Sequence, residues 1–151
     1  MAKIIHKGMW IDIKSLNAED KKNFLASMAF AFLASILLGI HLSIIGFVGS
    51  EPIPDGGISE PIILALRITM ILLFVIATYF YKKFYSAQDD FFKSYHNFTI
   101  SAGAYGFLVL GALLTVMSPY FNFNPTFYEF FLAFAIGSVF GGYYFHKKYI
   151  A

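Results

Sequence analysis

Three histidines are the residues best suited to holding a cofactor. His41 lies about 17 residues into a long apolar run, and an imidazole inside a membrane can ligate haem or a chlorophyll-type pigment. His96 falls just before the third apolar run and His146 just after the fourth, which in a hairpin puts both at the cytoplasmic side at similar depth, the one arrangement in the chain compatible with bis-histidine haem. The plainer reading gives His41 a hydrogen bond to a neighbouring helix and makes the other two interfacial. No cofactor is favoured. Arg67 stands about 9 Å beyond Pro61 and Glu129 about 6 Å past Pro125, at 1.5 Å per residue. An ion at the bilayer centre costs roughly 3 kcal/mol on insertion scales, and less near the interface. The two lie on the same side, and a structural ion pair between them is the expectation. Snorkelling of Arg67 to lipid phosphate and substrate binding by the pair are the alternatives.

Asp89, Asp90, Lys93 and His96 bring carboxylates, an ammonium and an imidazole within eight residues. They form the nearest approach to an acid–base set, yet helix capping and membrane topology account for three of the four. Other chemistry is missing from the sequence. There is no His-Glu-x-x-His zinc motif, no Walker loop and no nucleophile elbow. Asp55-Gly56-Gly57 reads as a turn, since the ligand series of a calcium loop is not there. The absence of Cys excludes disulfides, thiolate chemistry and iron–sulfur ligation. No metal site is expected.

The elements that would position these groups are set by composition. Hydrophobic residues make up 58% of the 151 and charged ones 13%. That is too little charge to cover a soluble domain, so lipid is the expected solvent. Four apolar runs, Phe24–Val48, Pro61–Tyr81, Phe98–Met117 and Thr126–Phe145, each reach the roughly 20 residues needed to cross a ~30 Å hydrocarbon core. The expected fold is an all-α membrane protein with four transmembrane helices in two helical hairpins. Residues 1–23 form a leader and 24–151 a single transmembrane domain. The first run is too long for a signal-peptide core and comes after a polar-mixed leader. Cap signals precede each run. Asn17 with Asp20, and Ser86 with Asp89, resemble capping boxes. Ser59 before Glu60-Pro61 and Asn124 before Pro125 place a cap beside a first-turn proline. The first and third helices are expected to begin several residues before lipid.

Charge sets the orientation. All ten lysines lie in the leader (Lys3, Lys7, Lys14, Lys21, Lys22), the middle connection (Lys82, Lys83, Lys93) or the tail (Lys147, Lys148). The stretch Gly49–Glu60 has three acids and no base, and Ser118–Pro125 has no charge. The positive-inside rule then places both termini in the cytoplasm. It also explains a pI near 8.7 without a nucleic-acid partner, because the basic residues cluster at run ends rather than in a patch.

The chain reads as two similar hairpins. Asn17-Ala18-Glu19-Asp20 is matched by Ser86-Ala87-Gln88-Asp89, and Tyr81-Lys82-Lys83-Phe84 by His146-Lys147-Lys148-Tyr149. A duplication of this kind is a parallel repeat about an axis along the membrane normal. From Asp89-Asp90-Phe91-Phe92-Lys93, just before the third run, to its C-terminus, the chain loosely resembles small four-helix bacterial inner-membrane proteins of uncharacterised function. The resemblance implies this architecture and that location, and no activity. Tyr95-His96-Asn97 departs from the pattern. Small multidrug transporters also have four helices, but they carry an acid in the first, and Phe24–Val48 has none.

In lipid, small residues mark helix contacts because they allow backbones to approach. Ser27, Ala31, Ser35, Gly39 and Ser43 recur at four-residue spacing in the first run. Ala133, Gly137 and Gly141 do so in the fourth, with Ser138 and Gly142 beside them. Internal packing is the bland use of these rows, and a partner protein the sharper one. The leader mixes Ile4, Ile5, Met9, Trp10, Ile11 and Ile13 with lysines, as suits a segment on the membrane surface or a partner. The functional expectation is a non-catalytic accessory subunit of a larger membrane complex. The alternatives are a small oligomeric transporter or channel, and a haem- or pigment-carrying subunit. A lipid-modifying enzyme comes last.

Overall fold

A computed structural model describes residues 6–7, 10–46, 58–121 and 123–149. Several features read from the sequence lie outside these residues. They are the end of the first run at Val48, Glu51 and the Asp55-Gly56-Gly57 turn, and Ile4, Ile5 and Met9 of the leader. Four long helices carry the fold: α1 (Ala18–Ile44), α2 (Glu60–Ala87), α3 (Asp90–Phe121) and α4 (Phe127–Tyr149). Ahead of them, two-residue strands β1 (His6–Lys7) and β2 (Trp10–Ile11) pair antiparallel, His6 opposite Ile11. Next comes a 3₁₀ turn, Ile13–Ser15, stitched by Asp12. Its Oδ1 accepts from the Lys14 N–H, and its carbonyl oxygen accepts from the Ser15 N–H and hydroxyl.

The helices outrun the apolar stretches because an apolar run marks where lipid begins, while a helix continues as long as its caps allow. α1 starts at Ala18, six residues before Phe24. Asn17 Oδ1 accepts from the Asp20 N–H at 2.8 Å, and Asn17 Nδ2 donates to the Asp20 carboxylate at 2.8 Å. This is a reciprocal cap that satisfies a free first-turn donor. The helix stops at Ile44. Gly46 takes φ 69°, a left-handed conformation that glycine adopts without a Cβ penalty, and its N–H reaches the Ser43 carbonyl. α2 begins where the Ser59 carbonyl receives the Ile62 and Ile63 N–H groups, with Pro61 in the first turn.

Two caps fall elsewhere than their sequence signals suggest. Ser86 lies inside the last turn of α2, and the cap of α3 is Asp89 itself, whose Oδ1 accepts from the Phe92 N–H at 2.8 Å. α4 is capped by Thr126 and not by Asn124. Asn124 and Pro125 precede the cap as coil. In both cases a competent side chain stands within three residues of another, and the local pattern cannot rank the two. α3 continues past Met117 to Phe121 with Pro119 in its final turns, where few further bonds are forfeited.

The chain divides into two compact units, Leu16–Ala87 with α1 and α2, and Gln88–Ala151 with α3 and α4, the latter grouped with the N-terminal segment. Each pair of helices packs together within its own unit. Among the described residues, α1, α2 and α3 are long and apolar enough to cross a membrane. α4 does not reach that standard. Its 23 residues are long enough at about 34 Å, but Glu129, four Tyr, three Gly and a Ser dilute its apolar character. Large apolar side chains are exposed along all four helices, the inverse of a soluble protein and compatible with an integral membrane location.

Candidate functional site

The α1–α2 hairpin packs along a seven-residue rhythm. The buried residues Asp20, Ser27 and Ala34 repeat every seven positions on α1, with Asn23 beside them, and Ala77 and Phe84 do so on α2. A seven-residue repeat keeps one seam facing an antiparallel neighbour over many turns. Phe24 meets the fully buried Phe84 with ring centroids 5.0 Å apart, and Phe30 stacks on Phe80 at 5.9 Å. His41 continues the same row, seven residues past Ala34. Its Nδ1 is shut away from solvent with no hydrogen-bond partner among the described residues.

The row of small residues at four-residue spacing is a different face of α1. Only Ser27 belongs to both rows. Ala31 is half-buried, while Ser35, Gly39 and Ser43 are exposed. A Cβ added at Gly39 would meet nothing within 4 Å. The hydroxyls along this face are satisfied inside the helix. Ser35 donates to the Ala31 carbonyl at 2.8 Å and Ser43 to the Gly39 carbonyl at 3.0 Å, which lets them face an apolar medium.

The small residues of α4 are closed against α3. A Cβ at Gly137 would lie 2.5 Å from the Ala102 carbonyl oxygen and 2.9 Å from the Gly106 Cα. One at Gly106 would lie 2.7 Å from the Ala133 carbonyl oxygen and 2.8 Å from the Gly137 Cα. Backbone thus touches backbone, and a side chain at either position would part the helices. Gly141 meets the Ala102 side chain, and Gly142 faces the Tyr95 hydroxyl. Below this crossing, buried Phe145 packs against the rings of Phe91, Tyr95 and Phe98 at 5.6, 5.3 and 5.6 Å.

That packing bears on His96 and His146. Both are half-buried, on α3 and α4, and the His96 ring lies nearly parallel to Phe92, centroids 6.3 Å apart. At this level of the hairpin Phe145 is buried against the rings of α3, while Phe91 and Phe98 are themselves exposed. Among the described residues no group of three or more His, Cys, Asp or Glu gathers as a metal site.

Glu129 acts as a capping residue. Its Oε2 accepts from the Thr126 N–H at 2.7 Å and from the Thr126 hydroxyl, while Thr126 Oγ1 accepts from the Tyr128 N–H at 3.3 Å. The sequence carries this signal as Thr126-x-x-Glu129, a capping box that overlaps the competing Asn124-Pro125 signal. Arg67 is exposed on α2. The two residues belong to different units. Asp89 caps α3, Asp90 opens its first turn, where a carboxylate complements the helix dipole, and the Lys93 N–H bonds the Asp89 carbonyl.

The last turns of α2 carry an open groove of about 490 Å³ lined by Tyr79, Lys82, Lys83, Ser86 and Ala87. Lys83 Nζ sits 4.7 Å from the centre of the Tyr79 ring. α4 ends in the same way. Lys148 Nζ lies 5.8 Å from the Tyr144 ring and 5.1 Å from Tyr149, and its hydrogen bond with the Tyr149 hydroxyl raises its pKa above the usual lysine value. Compared with protein-family models, curated proteins and solved structures, the chain matches none.

Proposed function

We propose that this protein is a non-catalytic, four-span integral membrane protein of the bacterial inner membrane, with both termini cytoplasmic. Its role is that of an accessory subunit holding a larger membrane complex through α1. The observation that carries the reading is the contrast between two rows of small residues. The α4 row is occupied by α3 down to backbone contact, whereas Ser35, Gly39 and Ser43 on α1 are exposed. Small residues in lipid gain nothing by facing acyl chains, but they let a second helix approach closely enough for extensive dispersion contact. The row therefore suits a transmembrane helix of another polypeptide. α4 supports the fourth span through its length and through its last turn of His146, Lys147 and Lys148, which matches a cytoplasmic stop.

Gly39→Leu tests the reading. In mild-detergent extracts of native membranes the wild-type chain should migrate with other membrane polypeptides. The variant should migrate alone with unchanged helicity, because a Cβ at Gly39 meets nothing within 4 Å and the site is exposed. A wild-type chain that extracts as a free monomer and transports or reacts on reconstitution would overturn it.

A further inference from the structure

The ends of α2 and α4 repeat one arrangement. Tyr79-Phe80-Tyr81-Lys82-Lys83 closes the first hairpin and Tyr144-Phe145-His146-Lys147-Lys148 the second. In each, the phenylalanine packs inward, Phe80 on Phe30 and Phe145 among the α3 rings. The tyrosine and lysines stay exposed, with the second lysine over the tyrosine ring. A cation held on a ring face is partly ordered before any anion arrives, which lowers the entropy cost of binding one.

On α2 the arrangement opens into the groove. Tyr79, Lys82, Lys83 and Ser86 are spaced i, i+3, i+4 and i+7, so they share one helix face. Two ammonium groups and two hydroxyls there can donate to a tetrahedral oxyanion. The carbonyl end of a helix dipole opposes an anion, so the lysine pair must outweigh it, and neither lysine alone is expected to suffice. The same face continues up the helix as Ile68, Leu72 and Val75, all exposed. A ligand lying along it meets an apolar strip of about two turns, then an aromatic ring, then two ammonium groups. That order matches a phospholipid from acyl chain to headgroup.

We infer that the groove at the end of α2 is a binding site for the phosphate of an anionic phospholipid, with Lys82 and Lys83 as the charge and Tyr79 as the ring that positions Lys83. The proposed topology places it at the cytoplasmic leaflet. Occupancy itself does not depend on that topology or on a partner at α1, so either can fail without the other.

The test is native mass spectrometry of the purified full-length protein in detergent, titrated with phosphatidylglycerol or with phosphatidylcholine of the same acyl chains. Each lysine near an anionic surface is worth about five-fold in affinity, so K82Q/K83Q should weaken phosphatidylglycerol binding roughly 30-fold. K21Q/K22Q removes equal charge from exposed positions in the first turns of α1, in the same unit, and should change binding by less than about three-fold. Phosphatidylcholine should bind weakly to all three proteins, and equimolar inorganic phosphate should not displace phosphatidylglycerol. Equal loss in the two double variants would reduce the effect to net charge and overturn the site, as would undiminished binding by K82Q/K83Q. Displacement by equimolar inorganic phosphate would make it a free-anion site and overturn the lipid assignment.

Discussion

Replacing Gly137 with alanine adds one methyl group where α4 crosses α3, and the structure sets what that methyl must displace. The new Cβ would lie 2.5 Å from the Ala102 carbonyl oxygen, 2.9 Å from the Gly106 Cα and 3.2 Å from the Gly103 Cα. All three are backbone atoms, so no rotamer change relieves the clash. Ordinary contact begins near 3.4 Å, and the helices would have to part by roughly 1 Å at their crossing. Overpacking of this kind costs about 1–3 kcal/mol, and backbone neighbours place it towards the upper end. Alanine also gains up to about 1 kcal/mol of helix propensity over glycine. Gly39→Ala carries that gain with no clash, so the difference between the two variants isolates the steric cost at about 2–3 kcal/mol. The chain lacks cysteine, so dyes on Ser94→Cys and Tyr149→Cys can report separation of α3 from α4 by energy transfer during an SDS titration in mixed micelles. Gly137→Ala should open at lower SDS than Gly39→Ala. Combining Gly106→Ala with Gly137→Ala should cost less than the sum, since either one already parts the same backbones. A Gly137→Ala hairpin as stable as Gly39→Ala would refute the backbone contact.

Three further outcomes are expected. Thr126→Val and Glu129→Gln should each destabilise by about 0.5–2 kcal/mol and should be strongly sub-additive in a double-mutant cycle, because they form one cap; additive losses would show that they act apart. His41→Leu should leave stability unchanged or raise it, since it removes from the seven-residue row of α1 a buried polar nitrogen that has no hydrogen-bond partner among the described residues; a large loss, or loss of a visible absorbance band from native preparations, would reveal a ligand on that imidazole. Cysteines placed at Asp55 and Asn122 should react with a membrane-impermeant maleimide on intact cells, and cysteines at Ser86 and Ala151 should not; labelling at Ser86 would reverse the proposed topology.

Helix number and kind were legible from composition and apolar run length. A backbone in lipid must satisfy its own hydrogen bonds, and long apolar stretches free of internal breakers can do so only as helices. Asn17 with Asp20 and Ser59 ahead of Pro61 were legible for the same local reason, as a cap acts within one turn. Pairs of adjacent candidates were not. Ser86 against Asp89, and Asn124 against Thr126, offer the backbone equivalent oxygens, and the choice depends on where the preceding element ends. Spacing in α1 posed the same ambiguity at longer range. Ser27, Ala31, Ser35, Gly39 and Ser43 line one face and Asp20, Ser27, Ala34 and His41 another, and an isolated helix has no preference between them. Only the tertiary structure decided that the seven-residue row seats α2 and leaves Gly39 open, while Gly137 and Gly106 touch through their backbones. Burial is a property of two surfaces that fit, and the second surface lies far along the chain, beyond the reach of any local pattern.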